Sequence, residues 1–122
     1  MGRCISLLCA LLTLLVTSKV EAQGFNQRAV LSFSASGDNT VVAGQTGKRI
    51  FVWGWDISCA TPTNLTFKSG ASTSLTGAIL LSAYSKPLTA TAAYLITNAG
   101  DALVINDISA TACAGILWYS VQ

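Results

Sequence analysis

From Arg28 to Val121 the turn-forming residues return roughly every eight to twelve positions, and β-branched and aromatic residues fill the gaps between them. Helical periodicity is nearly absent, so no stretch offers the wide apolar stripe an amphipathic helix would need. A chain punctuated this way folds as an all-β sandwich or barrel. The spacing predicts strands at Ala29–Ser34, Asn39–Val42, Lys48–Ser58, Asn64–Lys68, Ser74–Ser82, Ala92–Thr97, Ala102–Asp107 and Gly115–Val121. About eight strands suit a single two-sheet, jelly-roll-like β-sandwich, with a small up-and-down barrel as the alternative. "SGDN" and "NAGD" read as turns in which glycine supplies a positive φ. "GQTGK" and "KSGAS" read as hairpin connections, and Pro62 and Pro87 fall between strands.

Successive side chains on a strand point to opposite faces, so each strand has two readable rows. In "NLTFK", Leu65 and Phe67 share one row. In "ALVINDI" the row is Leu103, Ile105 and Asp107; in "ILWYSV" it is Leu117, Tyr119 and Val121, against Ile116 and Trp118. The central segment "RIFVWGWDISC" places Phe51, Trp53 and Trp55 in one row with Ile57 and Cys59. That row is expected to face the core, with Ile50, Val52, Gly54 and Asp56 on the partly covered side. The expected core is Phe33, Phe51, Trp53, Leu65, Phe67, Leu103, Ile105 and Leu117. Several strands are apolar on both rows, so the second face has to be hidden by loops or by sister chains.

The N-terminal residues 1–22 read differently. Arg3 precedes a 12-residue apolar run, Ile5 to Val16, and Val20-Glu21-Ala22 offers a cleavage site before Gln23. This is the layout of a secretory signal peptide. Twelve residues span about 18 Å as a helix, short of a ~30 Å hydrocarbon core, so no membrane span is expected after cleavage. An uncleaved anchor is the alternative. The remaining domain, residues 23–122, holds five basic residues (Arg28, Lys48, Arg49, Lys68, Lys86) and four acidic ones (Asp38, Asp56, Asp101, Asp107), a net charge of +1. That balance leaves no electrostatic footprint for nucleic acid. Its two cysteines, Cys59 and Cys113, are expected to form a disulfide in an oxidising compartment, stapling the two sheets. Two free thiols are the alternative.

Chemistry is sparse. The chain has no histidine, which removes Ser-His-Asp and Cys-His arrangements, and two cysteines alone do not make a four-ligand zinc site. No carboxylates are paired in sequence as a glycosidase would place them, and no glycine loop cradles a phosphate. Asp38 and Asp101 stand beside turn residues and are expected to cap them. No catalytic residue, cofactor or metal is expected. Asn64-Leu65-Thr66 is an N-glycosylation acceptor pattern lying within a predicted strand. Sugar stacking is the sharpest rival function, with Trp53, Trp55, Trp118, Tyr84 and Tyr94 as the rings. Of these, Tyr84 and Trp55 are the ligand aromatics to test, Tyr84 because it sits in the loop "AYSKP".

Three stretches together, "NTVVAGQTGKRIFVWGWDIS", "NLTFKSGASTSLTGAILL" and "NAGDALVINDISATACAGILWYSV", resemble a group of small tailed-phage virion proteins. The shared pattern is a "VVA…GKRI" strand pair, then "TFKSG…LTG", an "AG-E-ALVIN" segment and a closing "G-L-Y" strand. It covers Asn39 to Val121, with Asp101 where the family commonly has Glu. The resemblance implies a β-sandwich decoration, fibre or tail-associated protein, often trimeric and not catalytic. The leader is the departure from the pattern and points to a relative recruited to the cell exterior. The combined expectation is an extracellular or virion-surface structural protein that self-assembles, as a trimer or an array, through apolar strand faces. The alternative is a secreted module that binds a glycan or a cell surface.

Overall fold

A computed structural model describes residues 27–81, 88–89 and 93–122. Those residues form ten strands: β1 (Gln27–Phe33), β2 (Gly37–Val42), β3 (Ile50–Cys59), β4 (Thr63–Ser69), β5 (Thr73–Ser74), β6 (Ile79–Leu81), β7 (Leu88–Thr89), β8 (Leu95–Ile96), β9 (Leu103–Asp107) and β10 (Cys113–Val121). All pairings are antiparallel. Sheet A runs β1-β10-β3-β7 with β8 also on β3, and sheet B runs β2-β9-β4-β5 with β6 also on β4. The expected leader and the loop bearing Tyr84 lie outside the described residues.

The pairings nest. β1 pairs with β10, β2 with β9, β3 with β7 and β8, and β4 with β5 and β6. The chain is therefore one long hairpin whose innermost turn is 70–72. Two further pairings, β10 with β3 and β9 with β4, roll that hairpin into two packed sheets. This is jelly-roll connectivity. The turn "KSGAS" closes the β4–β5 hairpin as expected, with Gly70 at φ 60°. "GQTGK" does not close a hairpin: β2 belongs to sheet B and β3 to sheet A, so the segment crosses between layers. Turn residues mark a reversal locally but cannot say which sheet the next strand joins.

The core lies between the inner faces. Leu65, Phe67, Leu103, Ile105 and Leu117 are all buried, as their alternation predicts. Phe33, Tyr119 and Val121 pack partly buried against them. Strand β3 departs from its predicted facing. Ile50, Val52 and Gly54 are buried in its first half, and Ile57 and Cys59 in its second. The period of two slips by one residue in between.

The cause is a β-bulge. Trp118 pairs with Gly54 but Tyr119 pairs with Val52, which leaves Trp53 as an extra residue on β3. A bulge reverses the facing of everything beyond it. Trp55, Ile57 and Cys59 thus turn inward, whereas Phe51 and Trp53 turn outward. Phe51 and Trp53 are accordingly not core residues, contrary to the expectation from strict alternation; neither packs on the core cluster. Ile50 and Val52 take the inner position instead, opposite Val121 and Tyr119, while Gly54 pairs with the outward Trp118.

Cys59 and Cys113 are bonded to each other, 54 residues apart in sequence. They are directly opposed on β3 and β10. The bridge therefore ties neighbouring strands within sheet A and does not staple the two sheets. The bridge closes the loop of residues 60–112, which carries β4, β5, β6 and β9 of sheet B and the short β7 and β8 that pair with β3 in sheet A. The neck of that loop is closed further by Ala60 N–H on the Ala112 carbonyl at 2.8 Å and by the Thr61 and Thr111 hydroxyls at 2.7 Å.

Candidate interaction face

The outer face of sheet A is set by pairing. Its rows run Val30–Ile116–Asp56, Arg28–Trp118–Gly54 and Ser120–Phe51–Ile96 across β1, β10, β3 and β8. The bulged Trp53 lies among them, and its Nε1–H donates to Ser120 Oγ at 3.1 Å. Ser120, at an outward position, is only 1 % exposed. Val30 is 79 % exposed and Ile96 42 % exposed. Phe51, Trp53, Ile116 and Trp118 are half-buried, and none of them packs on the core cluster. Trp53 and Asp56 each have further interactions within the molecule.

The relief of this face changes along β10. Towards its start the outward row is Ser32, Ala114 and Ser58, all small. Beside the disulfide these residues, with Phe33 and Ser34, border a hollow of about 460 Å³. The backbones of β3 and β10 approach closely there: a Cβ on Gly115 would collide with the Asp56 carbonyl. Sheet A therefore presents an aromatic rise next to a shallow, small-residue depression.

Sheet B presents a mostly polar outer face, interrupted by Val104 between Thr40 and Lys68 and by Leu80, 68 % exposed beside Asn64. Lys68 Nζ donates to both Asp38 oxygens, at 3.0 and 2.9 Å, and Asn106 Nδ2 donates to Asp38 Oδ1 at 2.7 Å. The Asn106 hydrogen bond, followed by the Lys68 one, holds the Asp38 carboxyl below its ordinary range. Asp38 is thus the hub of a cross-strand network, and the expected capping of the "SGDN" turn falls instead to Asn39, whose Nδ2 donates to the Ala35 and Gly37 carbonyls. Asn64 and Thr66, the acceptor pattern, are half-buried on the same face of β4. The Asn64 carbonyl accepts from Ile108 N–H at 3.3 Å.

The remaining aspartates are dispersed. Asp101 Oδ2 accepts from Ser69 Oγ at 2.7 Å and from Asn98 Nδ2 at 3.4 Å, locking the turn where Gly100 has φ 86°. Asp107 is fully buried on the inner face. Its Oδ1 accepts from Thr63 Oγ1 at 2.6 Å and from Ser109 N–H at 3.1 Å. Its role is to fasten the β9–β10 turn onto β4, an Asx-type contact of the kind that replaces backbone turn bonds. Asp56 lies on the outer face of sheet A. The fold thus distributes Asp56, Asp101 and Asp107 over an outer face, a turn and the core.

Trp55, singled out as a ring for ligand stacking, is turned towards the sheet interface. Its ring lies 4.6 Å from that of Phe67 on the opposing sheet, with the Tyr94 ring at 6.2 Å in an edge contact. Trp118 and Trp53 are the tryptophans on the outer face. Strict alternation missed Trp53, although Gly54 between two tryptophans inside a strand is itself a bulge signal. No family model, curated protein or solved structure matches the chain.

Proposed function

We propose that the chain is a non-catalytic, exported structural protein that self-assembles through the outer face of sheet A. One observation carries this reading: Val30, Phe51, Trp53, Ile116 and Trp118 share a sheet face without packing on the core. Contiguous apolar surface of this kind is costly in water and marks contact sites. Burying it returns about 25 cal/mol per Å². The Cys59–Cys113 bridge is compatible with an extracellular site of action. Jelly rolls serve as viral capsid subunits and as lectins, so the fold admits this role without selecting it. A particle-surface setting follows from the resemblance to tailed-phage virion proteins.

The same observation favours one second reading, a flat glycan-binding platform. Trp53 and Trp118 would stack on sugar rings, with Arg28 and Ser120 near enough in the pairing to hydrogen-bond hydroxyls. Light scattering on the purified protein, run beside a glycan-affinity column, separates the two. A multimer that passes through the column supports self-assembly. A strict monomer retained by glycan supports the platform.

A further inference from the structure

We propose that the partner of this face is a second copy of the chain, docked face to face about a two-fold axis that passes between Ile116 and Trp118. The inference rests on the self-assembly reading and names its surface and symmetry. Charge placement argues for it. Arg28 on β1 and Asp56 on β3 flank β10 on opposite sides, one row apart, with Ile116 and Trp118 between them. An isologous contact pairs each patch with itself. An axis lying in the contact plane through that midpoint, perpendicular to the Arg28–Asp56 diagonal, brings Arg28 of each copy over Asp56 of the other, so that two opposite-charge contacts form. Asp56 keeps its interaction within its own chain, and the second copy's Arg28 adds to it. The apolar rows then meet at the centre and the charges lie at the rim, the usual anatomy of a specific interface.

Area argues in the same direction. The strands of sheet A, with seven residues in β1, nine in β10, ten in β3 and two each in β7 and β8, at about 3.4 Å by 4.8 Å per residue give a face of roughly 500 Å². Two copies bury roughly 1,000 Å² in total, the threshold for a specific contact. The bulge is what makes the face sufficient, because without it Trp53 would point inward.

The test is a charge exchange followed by light scattering and analytical ultracentrifugation on the full-length chain, expressed with its own leader. R28D sets Asp over Asp in the pair, and D56R sets Arg over Arg. Each is expected to weaken self-association about tenfold or more. Mixing the two variants restores association, since the mixed pair carries two opposite-charge contacts. The double variant R28D/D56R restores it as a homodimer for the same reason. Val30→Lys, at a position already 79 % exposed, weakens association without touching the core, and circular dichroism with intact mass verifies the fold and the disulfide. Association unchanged in R28D, D56R and Val30→Lys alike overturns this interface while leaving self-assembly standing. Weakening by both single exchanges with no recovery on mixing overturns the two-fold arrangement. A wild-type chain that stays monomeric at every concentration overturns self-assembly itself, and this inference with it.

Discussion

The outer faces of the two sheets are built on similar antiparallel ladders, yet they make opposite use of them. On sheet B, Asp38, Asn106 and Lys68 form a hydrogen-bonded cross-strand row, and Thr40 and Thr66 flank it. On sheet A the corresponding positions hold Val30, Phe51, Trp53, Ile116 and Trp118. The inner faces of both sheets obey the same demand, which is to fill a shared core. Outer faces answer only to what they meet. A polar row satisfied within the sheet is suited to water, whereas an aromatic row outside the core is suited to a partner.

The contrast can be broken or sharpened by experiment. The largest effect is expected at the neck of sheet A. Replacing both Cys59 and Cys113 with Ala should lower stability by about 4 kcal/mol in the chain-entropy model for a loop of this span, read as a fall in the urea midpoint. Sheet B has no covalent tie of its own among the described residues, so its hydrogen bonds should be among the first lost, visible as faster amide exchange in β2 and β9.

Inner and outer aromatics should separate next. Phe67→Ala removes a buried ring and is expected to cost about 3–5 kcal/mol. Phe51→Ala, on the outer face, should cost less than half of that in dissociated protein while weakening self-association. Equal costs for the two in the monomer would place Phe51 in the core and dissolve the comparison.

A smaller effect is expected from Trp53→Phe, which keeps an aromatic ring but removes one of the two donors to Ser120 Oγ, the other being Gln122 Nε2. It should cost about 1 kcal/mol, measured by thermal or urea unfolding, because Ser120 is buried.

The smallest effect belongs to sheet B. Asp38 is held below its ordinary value, 3.8, so the folded state binds this proton less readily than the unfolded one. Its stabilising contribution is complete above that value and is lost as pH falls through the depressed one. Asp38→Asn should therefore flatten acid destabilisation below about pH 4, with a small loss of stability at pH 7 that disappears as the pH falls and the two proteins converge. It should also leave the assembly state untouched, unlike changes on sheet A.

Much of this architecture was legible in the sequence. The all-β class, the facing of β4, β9 and β10, and the pairing of Cys59 with Cys113 all followed from local spacing and residue chemistry. The candidate face was half legible: Ile116 and Trp118 were read as sharing a row opposite Leu117, but Phe51 and Trp53 were assigned to the core.

What the sequence alone determined is whatever depends on a period of two within one unbroken strand, because side-chain direction there is fixed by local backbone geometry. The tertiary structure decided the rest. Trp53 became an extra residue only when β3 paired with β10, since a bulge is defined by two strands together. That Cys59 and Cys113 stand on one sheet depends on how the long hairpin rolls. Rolling is set by contacts between residues far apart in the chain, which no local pattern encodes.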